Sequence, residues 1–135
     1  MADASSSGSR AGVLDASAIL AYLKGEPGAP LARRWMSTGF VSSVNWSEVL
    51  QKAVTQGGDF PDLIALPRRT GLVVVGFDEG LAGVAASLYP IGKPIGMSFA
   101  DRACIATAAD LGLAVLTSDR RWSDIALPVQ VQQLR

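Results

Sequence analysis

The most informative absence in this sequence is histidine, which does not occur at all. Without histidine, Ser-His-Asp and Cys-His catalysis are excluded, as is every zinc site that depends on imidazole. Cysteine occurs once, so an internal disulfide is impossible, and the apolar neighbours of Cys104 predict a small core residue. Any enzyme chemistry must therefore come from carboxylates, hydroxyls, Lys or Arg. Carboxylate oxygen is the ligand that magnesium and manganese prefer.

The sequence also lacks net charge and long apolar runs. Lys and Arg number 12, and Asp and Glu number 12, so the formal net charge is zero. Contact with nucleic acid would therefore depend on local clusters of basic residues. No stretch reaches the roughly 18 apolar residues that a membrane-spanning helix needs. We expect a soluble, cytoplasmic protein without a membrane partner.

The length of the chain fits one domain with a single core. It has 135 residues, of which 49% are hydrophobic, and this leaves no room for a second core. Residues 1–11 are small and polar without an apolar period, so they are predicted to form a disordered leader. The domain is predicted to span residues 12–135.

Within this domain, short strand-like runs alternate with segments of helical spacing. The predicted strands are 13–14, 40–42, 72–77, 114–117 and 129–134. The predicted helices are 17–24, 31–36, 44–55, 62–69, 79–89 and 98–111. Pro67 is expected to end or kink the fourth helix, and 89–96 is expected to be a loop. Such alternation is typical of βαβ units, so we predict an α/β fold with a central, mostly parallel sheet of about five strands flanked by helices.

Four acidic residues fall where the strands of this fold would end. Asp15 and Asp119 follow the first and fourth predicted strands, and Glu48 and Asp101 lie in the opening turns of helices. Ligands of open α/β sheets bind outside the carboxyl ends of the strands. Four carboxylates at one edge would raise each other's pKa unless a cation shares the site. A divalent ion can activate water against a phosphorus atom, so the pattern indicates phosphodiester hydrolysis.

Each member of this acidic quartet also has a purely structural explanation. Asp15 is suited to cap the first helix, and Ser98 with Asp101 has the spacing of a capping box. Asp119 can form a turn at a strand exit, and Glu48 can belong to a solvated helix face. The sequence leaves these explanations open for each acid alone, and only their coincidence favours a metal site.

The motifs around the quartet resemble those of a known family. They are Val13-Leu14-Asp15-Ala16-Ser17, Trp46-Ser47-Glu48-Val49, Ser98-Phe99-Ala100-Asp101-Arg102 and Leu116-Thr117-Ser118-Asp119-Arg120. In their order and spacing they resemble the four acidic motifs of PIN-domain nucleases. Within that family they look most similar to the VapC-type toxins of bacterial toxin-antitoxin pairs. The resemblance runs from about Gly12 to the C-terminus, and the leader is a departure from it.

The resemblance implies a ribonuclease with particular cofactors and partners. It implies an endoribonuclease that depends on Mg²⁺ or Mn²⁺ and cuts RNA, such as a transfer or ribosomal RNA loop. It also implies a homodimer and a cognate antitoxin whose C-terminal tail blocks the site. Carried over by position, the catalytic and metal-binding residues are Asp15, Glu48, Asp101 and Asp119. Ser17 and Thr117 match hydroxyls that support the metal or its waters.

Basic and aromatic residues near these motifs have two interpretations each. Arg102 and Arg120, with the adjacent Arg121, are placed to hold substrate phosphates, but each can instead be a surface residue or pair with a carboxylate. Trp35, Trp46 and Trp122 can stack on unpaired bases. Core packing is the stronger expectation for all three tryptophans.

Two other functions compete with the nuclease. A phospho-acceptor receiver domain would use Asp15, Asp78 and the Lys93-Pro94 pair, but the order of these residues along the chain is wrong for it. It also gives no reason for Asp101 or Asp119. The second alternative is a catalytically silent PIN-like binding module, against which the presence of all four acids argues.

Overall fold

Five short strands form one parallel sheet in the computed structural model, which describes residues 11–57 and 60–135. The strands are β1 (Val13–Leu14), β2 (Phe40–Ser42), β3 (Val73–Val75), β4 (Val115–Thr117) and β5 (Val131–Gln133). Their order is β3-β2-β1-β4-β5, and every neighbouring pair is parallel. The predicted α/β architecture is confirmed. The predicted leader, apart from Ala11, lies outside the described residues.

This strand order excludes the receiver-domain alternative. Receiver domains belong to the doubly wound folds with strand order 2-1-3-4-5, whereas here β2 separates β1 from β3. The receiver interpretation is therefore wrong. The order reverses between β1 and β4, and in such sheets this point is where ligands bind.

Helices connect the strands and cover both faces of the sheet. They are α1 (Ala16–Lys24), α2 (Ala29–Thr38), α3 (Ser43–Thr55), α4 (Phe60–Ile64), α5 (Leu66–Thr70), α6 (Glu79–Ser87), α7 (Tyr89–Gly92) and α8 (Phe99–Leu111). Two 3₁₀ helices, Lys93–Ile95 and Arg120–Asp124, precede α8 and β5. The five strands and the long helices follow the predicted order, with β3 and β5 shorter than expected.

Proline accounts for the two segments that the sequence analysis placed wrongly. The single helix predicted at 62–69 is two short helices, and Pro67 lies in the first turn of α5 instead of ending a helix. The predicted loop 89–96 is α7 followed by a 3₁₀ turn, each with a proline, Pro90 and Pro94, in its first turn. The N–H groups in the first turn of a helix have no partner within the helix, so proline, which lacks an N–H, is tolerated there. These prolines therefore begin helices.

The two faces of the sheet carry separate apolar clusters. Leu14 and Leu116 pack with α1, α2 and α3 on one face, whereas Val13 and Val115 pack with α6 and α8 on the other. This alternation is the period of two expected of a strand, and both faces are buried as in other parallel sheets. Each fully buried side chain of this kind contributes about 1.5–3 kcal/mol, so the central strands are firmly held.

Core positions predicted from single residues are confirmed. Cys104 is fully buried, and Trp46 and Trp122 are buried as well. Trp35 is partly buried against the cluster on the α1 face. The tryptophans are therefore chiefly packing residues. In the part of the chain that the structure describes, no helix has the length and apolar character needed to cross a bilayer.

Candidate active site

Asp15 occupies the point where β1 ends and α1 begins. It is at the N-cap position, but its side chain makes no capping hydrogen bond, so the capping explanation does not hold for its carboxylate. Instead Ser17 Oγ donates to Asp15 Oδ2 at 2.7 Å and Thr117 Oγ1 donates to the same oxygen at 2.9 Å. Because both hydroxyls use Oδ2, neither competes for Oδ1. The two residues expected to support the site are thus in contact with its central acid.

The same two hydroxyls join the exit of β4 to the start of α1. The backbone N–H of Ser118 donates to Ser17 Oγ at 3.0 Å, and that of Asp119 donates to Thr117 Oγ1 at 3.1 Å. Parallel strands β1 and β4 end at one edge, so these short polar side chains satisfy the backbone of the turn. This network fixes the position of the Asp15 carboxylate.

Asp15 is held where its ionised form is disfavoured. Burial is the main reason that its pKa is raised from 3.8 to about 6, and the charges of Asp101 and Glu48 raise it further. Hydrogen bonds from Ser17 and Thr117 act in the opposite direction. The residue is only 6% exposed. A buried carboxylate beside two others is a place where a cation would be strongly stabilised.

Glu48 reaches the same region from the opening turns of α3. It is partly buried, and burial followed by the charge of Asp101 raises its pKa, against the hydrogen bond from Asn45. Asn45 Nδ2 donates to Glu48 Oε1 at 3.1 Å. Glu48 therefore does not belong to an ordinary solvated helix face.

Asp101 has both a structural contact and a place among the acids. Its Oδ2 accepts from the backbone N–H of Ser98 at 3.0 Å while Ser98 Oγ accepts from the Asp101 N–H at 3.1 Å, which confirms the capping box. One turn further along α8, burial raises the pKa of the Cys104 thiol well above its usual value, and the charges of Asp15, Asp101 and Glu48 add to this. The charges of all three carboxylates therefore act on the first turns of α8, where Asn45 Nδ2 also links Glu48 to the Ala100 carbonyl.

Asp119 stands at the edge of this group, paired with Arg121. Arg121 Nε donates to Asp119 Oδ1 at 3.0 Å and Nη2 donates to Oδ2 at 2.7 Å, while the Arg121 backbone N–H also meets Oδ1. This hydrogen-bonded guanidinium lowers the pKa of Asp119. The side chain caps the following 3₁₀ helix, so the turn explanation is confirmed. Asp119 connects to Asp15 only through Thr117 among these contacts.

The donor set fits a hard divalent cation, although the side chains are not arranged as a finished ion site. Across residues 11–57 and 60–135, no three acids or cysteines have the mutual geometry of a bound metal. Two of the acids have other partners, since the Asp101 carboxylate accepts from the Ser98 N–H and that of Asp119 from Arg121. The donors themselves are carboxylate oxygens, which Mg²⁺ and Mn²⁺ prefer. Side-chain rearrangement would therefore have to accompany binding.

The sequence analysis missed Asn45. For Arg121 it left open a pairing with a carboxylate, and the structure shows that pairing with Asp119. Asn45 is three positions before Glu48, and residues at this spacing are neighbours on a helix, so an amide one turn before a candidate acid was the available signal. Arg121 was noted as adjacent to the site, but its separation of two residues from Asp119 did not indicate that its guanidinium would bind both carboxylate oxygens. Both contacts depend on folded positions that the sequence does not display.

The arginines expected at substrate phosphates have other contacts in the structure. Arg102 Nη1 donates to the Ala85 carbonyl at 3.0 Å, and its guanidinium lies 5.5 Å from the Tyr89 ring centre and 5.9 Å from that of Phe99. Arg120 Nη2 donates to the backbone carbonyl of Arg135 at 2.7 Å. Their role in holding phosphate stays a prediction.

An open apolar groove lies apart from the acids, between α1, α3, α4 and α5. Its lining includes Leu20, Val49, Leu63 and Leu66. None of the acidic quartet borders it, so it has no evident part in the chemistry of the site.

The fold and site together define a class, namely α/β proteins with an acidic site at the carboxyl ends of the central parallel strands. The family model described as "PIN domain" matches residues 12–127. This chain therefore belongs to the PIN domain family, as its motifs indicated.

Solved structures with the same fold include components of toxin-antitoxin systems. A toxin-antitoxin complex from Klebsiella pneumoniae aligns with a TM-score of 0.69 at 18% identity, over 88% of this chain and 98% of that chain. A DNA-bound VapBC complex from Salmonella typhimurium gives 0.67 at 18%, over 91% and 97%. VapC20 of Mycobacterium tuberculosis, described as a sarcin-ricin loop cleaving toxin, gives 0.66 at 18%, over 83% and 92%. No curated protein gives a significant match.

Proposed function

We propose that this protein is an endoribonuclease that depends on Mg²⁺ or Mn²⁺ and acts as the toxin of a toxin-antitoxin pair. The observation that carries the proposal is the convergence of Asp15, Glu48 and Asp101 from three separate elements. The charges of Asp101 and Glu48 raise the pKa of Asp15, and the charge of Asp101 raises that of Glu48. This repulsion does not help folding, but a divalent cation bound between the carboxylates would relieve it. Asp119 completes the proposed site at its edge.

The proposed chemistry is hydrolysis of an RNA phosphodiester. A divalent cation in such a site lowers the pKa of a water molecule and stabilises the leaving oxygen. The part of this chain is to hold the carboxylates in place. Ser17 and Thr117 fix Asp15 through Oδ2, and the capping box fixes the start of α8. One related fold is described as cleaving the sarcin-ricin loop, and we propose a transfer or ribosomal RNA loop as the substrate here. An RNA substrate would place the protein in the cytoplasm.

Asp101→Asn tests this function most directly. Asparagine retains an oxygen that can cap α8 but removes the charge, so the fold should persist while cleavage of RNA in Mg²⁺ or Mn²⁺ falls more than about 100-fold. That bound follows because even residues that merely orient a metal ligand affect activity by about 10–100-fold. Asp110→Asn, an exposed acid at the other end of α8, is the matched control and should retain full activity. Undiminished cleavage by Asp101→Asn, or cleavage by wild type in chelator, would refute the proposal.

The proposed partners are a cognate antitoxin and a second copy of this chain. Three of the solved structures with this fold are a toxin-antitoxin complex and two VapBC complexes bound to DNA, and these support an antitoxin partner here. Expression of the chain without its genomic neighbour should stop growth, and co-expression should restore it. Harmless expression of an enzyme that is active in vitro would argue for a nuclease that is not a toxin. A measured mass of twice 14.1 kDa would identify the dimer.

The catalytically silent alternative makes the opposite prediction. A binding module would retain RNA or protein affinity in Asp101→Asn and show no cleavage in any metal. The two outcomes separate the alternatives without knowledge of the natural RNA.

A further inference from the structure

Asn45 is a fully buried amide that connects the helices of two proposed metal ligands. It lies on α3, and its relative exposure is 0%. Its Nδ2 donates to Glu48 Oε1 at 3.1 Å and to the carbonyl of Ala100 at 3.0 Å. Ala100 immediately precedes Asp101 on α8. A single NH₂ group therefore joins Glu48 on α3 to the residue that precedes Asp101 on α8.

Folding alone does not account for an amide at this position. The carbonyl of Ala100 lies within α8, where the N–H four residues ahead is its regular partner, so it does not need Asn45. The other end of the amide, Oδ1, is buried without a hydrogen-bond partner among the described residues. An unpaired buried acceptor costs about 1–3 kcal/mol, whereas leucine would fill a similar volume without that cost. The amide is therefore better explained by its contact with Glu48.

We propose that Asn45 is a positioning residue for the metal site. By holding Glu48 Oε1, it fixes the carboxylate that would share a cation with Asp15 and Asp101. By holding Ala100, it keeps the first turn of α8 at a fixed distance from α3. This inference rests on the proposed function, because it requires that Glu48 and Asp101 share an ion.

Asn45→Leu separates positioning from folding. The variant removes both donated hydrogen bonds and the unpaired acceptor together, so thermal unfolding in chelator should change little. Calorimetric affinity for Mn²⁺ should weaken about 10-fold or more, the range found when a partner of a metal ligand is removed. Thr107→Val is the matched control. It removes a buried hydroxyl that donates to Ala103 within α8 at 2.8 Å, and its Mn²⁺ affinity should equal that of wild type.

A second measurement needs no variant, since Asn45 is the only asparagine in the chain. Protein labelled with ¹⁵N-asparagine should give one side-chain amide pair in an NMR spectrum. Added Mg²⁺ should shift the resonances of that pair until they saturate. The midpoint of this titration should agree with the dissociation constant that calorimetry gives for Mg²⁺. A role confined to packing would leave the pair unmoved.

The outcomes distinguish this inference from the function on which it rests. If wild type binds Mn²⁺ and cleaves RNA while Asn45→Leu binds within twofold of wild type, the positioning role is wrong and the nuclease stands. If the resonances of the Asn45 amide pair do not shift at saturating Mg²⁺, the positioning role is likewise wrong and the nuclease stands. If wild type itself binds no divalent cation, both proposals are overturned. Weaker binding by Asn45→Leu but not by Thr107→Val supports the inference.

Discussion

At the scale of single residues, the buried carboxyl group of Asp15 links protonation to stability. Its pKa is raised from 3.8 to about 6, chiefly by burial. Below the lower value both folded and unfolded chains carry the proton. At a pH between 3.8 and about 6, only the folded chain carries the proton on Asp15. The stability that protonated Asp15 contributes is therefore lost as the pH rises through about 6. Raising the pKa from 3.8 to about 6 corresponds to at most about 3 kcal/mol in the free energy of unfolding.

Asp15→Asn should remove this pH dependence. In chelator, wild type should lose stability relative to the variant by up to about 3 kcal/mol between about pH 4 and about pH 7, because only wild type must ionise a buried group. Urea unfolding across that range measures the difference. Asp110→Asn serves as the exposed control, and its profile should run parallel to that of wild type. Parallel profiles for Asp15→Asn would show that Asp15 is not buried as described.

Arg121 gives the opposite case, an acid kept ionised by a fixed cation. It holds both oxygens of Asp119 and also donates to the Ile95 carbonyl at 2.8 Å. Arg121→Gln should free Asp119 and remove a positive charge near Asp101, so Mn²⁺ should bind several-fold more tightly at low salt. Arg120→Gln removes an equal charge whose contact is the Arg135 carbonyl, and it should have the smaller effect. Equal or weaker binding by Arg121→Gln would place Asp119 outside the site.

At the scale of elements, the start of α8 is fixed by its capping box. Ser98→Ala removes the acceptor for the Asp101 N–H and should lower the free energy of unfolding by about 1 kcal/mol. Because Asp101 lies in the same turn, Mn²⁺ affinity should fall as well. Ser87→Ala, at an exposed hydroxyl near the end of α6 that donates to the Val84 carbonyl, should change neither quantity appreciably. Chemical denaturation and calorimetry provide both readouts, and equal behaviour of the two variants would contradict the role of the cap.

The elements also show what sequence patterns can and cannot predict. Apolar period and turn residues indicated the strands and long helices, since these patterns follow directly from burial. Pro67 and Pro90 were misplaced because proline is suited both to break a helix and to begin one, and only tertiary packing decides. The places of Asp15 and Asp119 at strand ends were predictable from the sequence, and those of Glu48 and Asp101 in the opening turns of helices were as well, but their role as metal ligands stays a prediction. Asn45 was not, because its importance comes from an atom on another helix, Ala100 O.

At the scale of the whole molecule, the position of β1 depends on tight packing of Gly12, just before this strand, against Ala114 and Trp35. Gly12 has φ of 148°, and a Cβ there would clash with the Ala114 carbonyl oxygen and lie 2.6 Å from Trp35 Cζ3. Gly12→Ala should therefore destabilise the protein by about 2 kcal/mol or more. Gly83, in α6, has open space around its Cβ position, so Gly83→Ala should stabilise by about 0.5–1 kcal/mol. Thermal unfolding compares the two, and similar effects would contradict the packing around β1.

The central claim is that the fold brings Asp15, Glu48 and Asp101, from three separate elements of the chain, to one metal-binding site. The direct measurement is an anomalous difference map from crystals soaked in Mn²⁺. We expect one peak within coordination distance of Asp15, Glu48 and Asp101, with Asp101 rotated away from the Ser98 N–H. A map without that peak at saturating Mn²⁺, or with manganese bound elsewhere on the chain, would contradict the account.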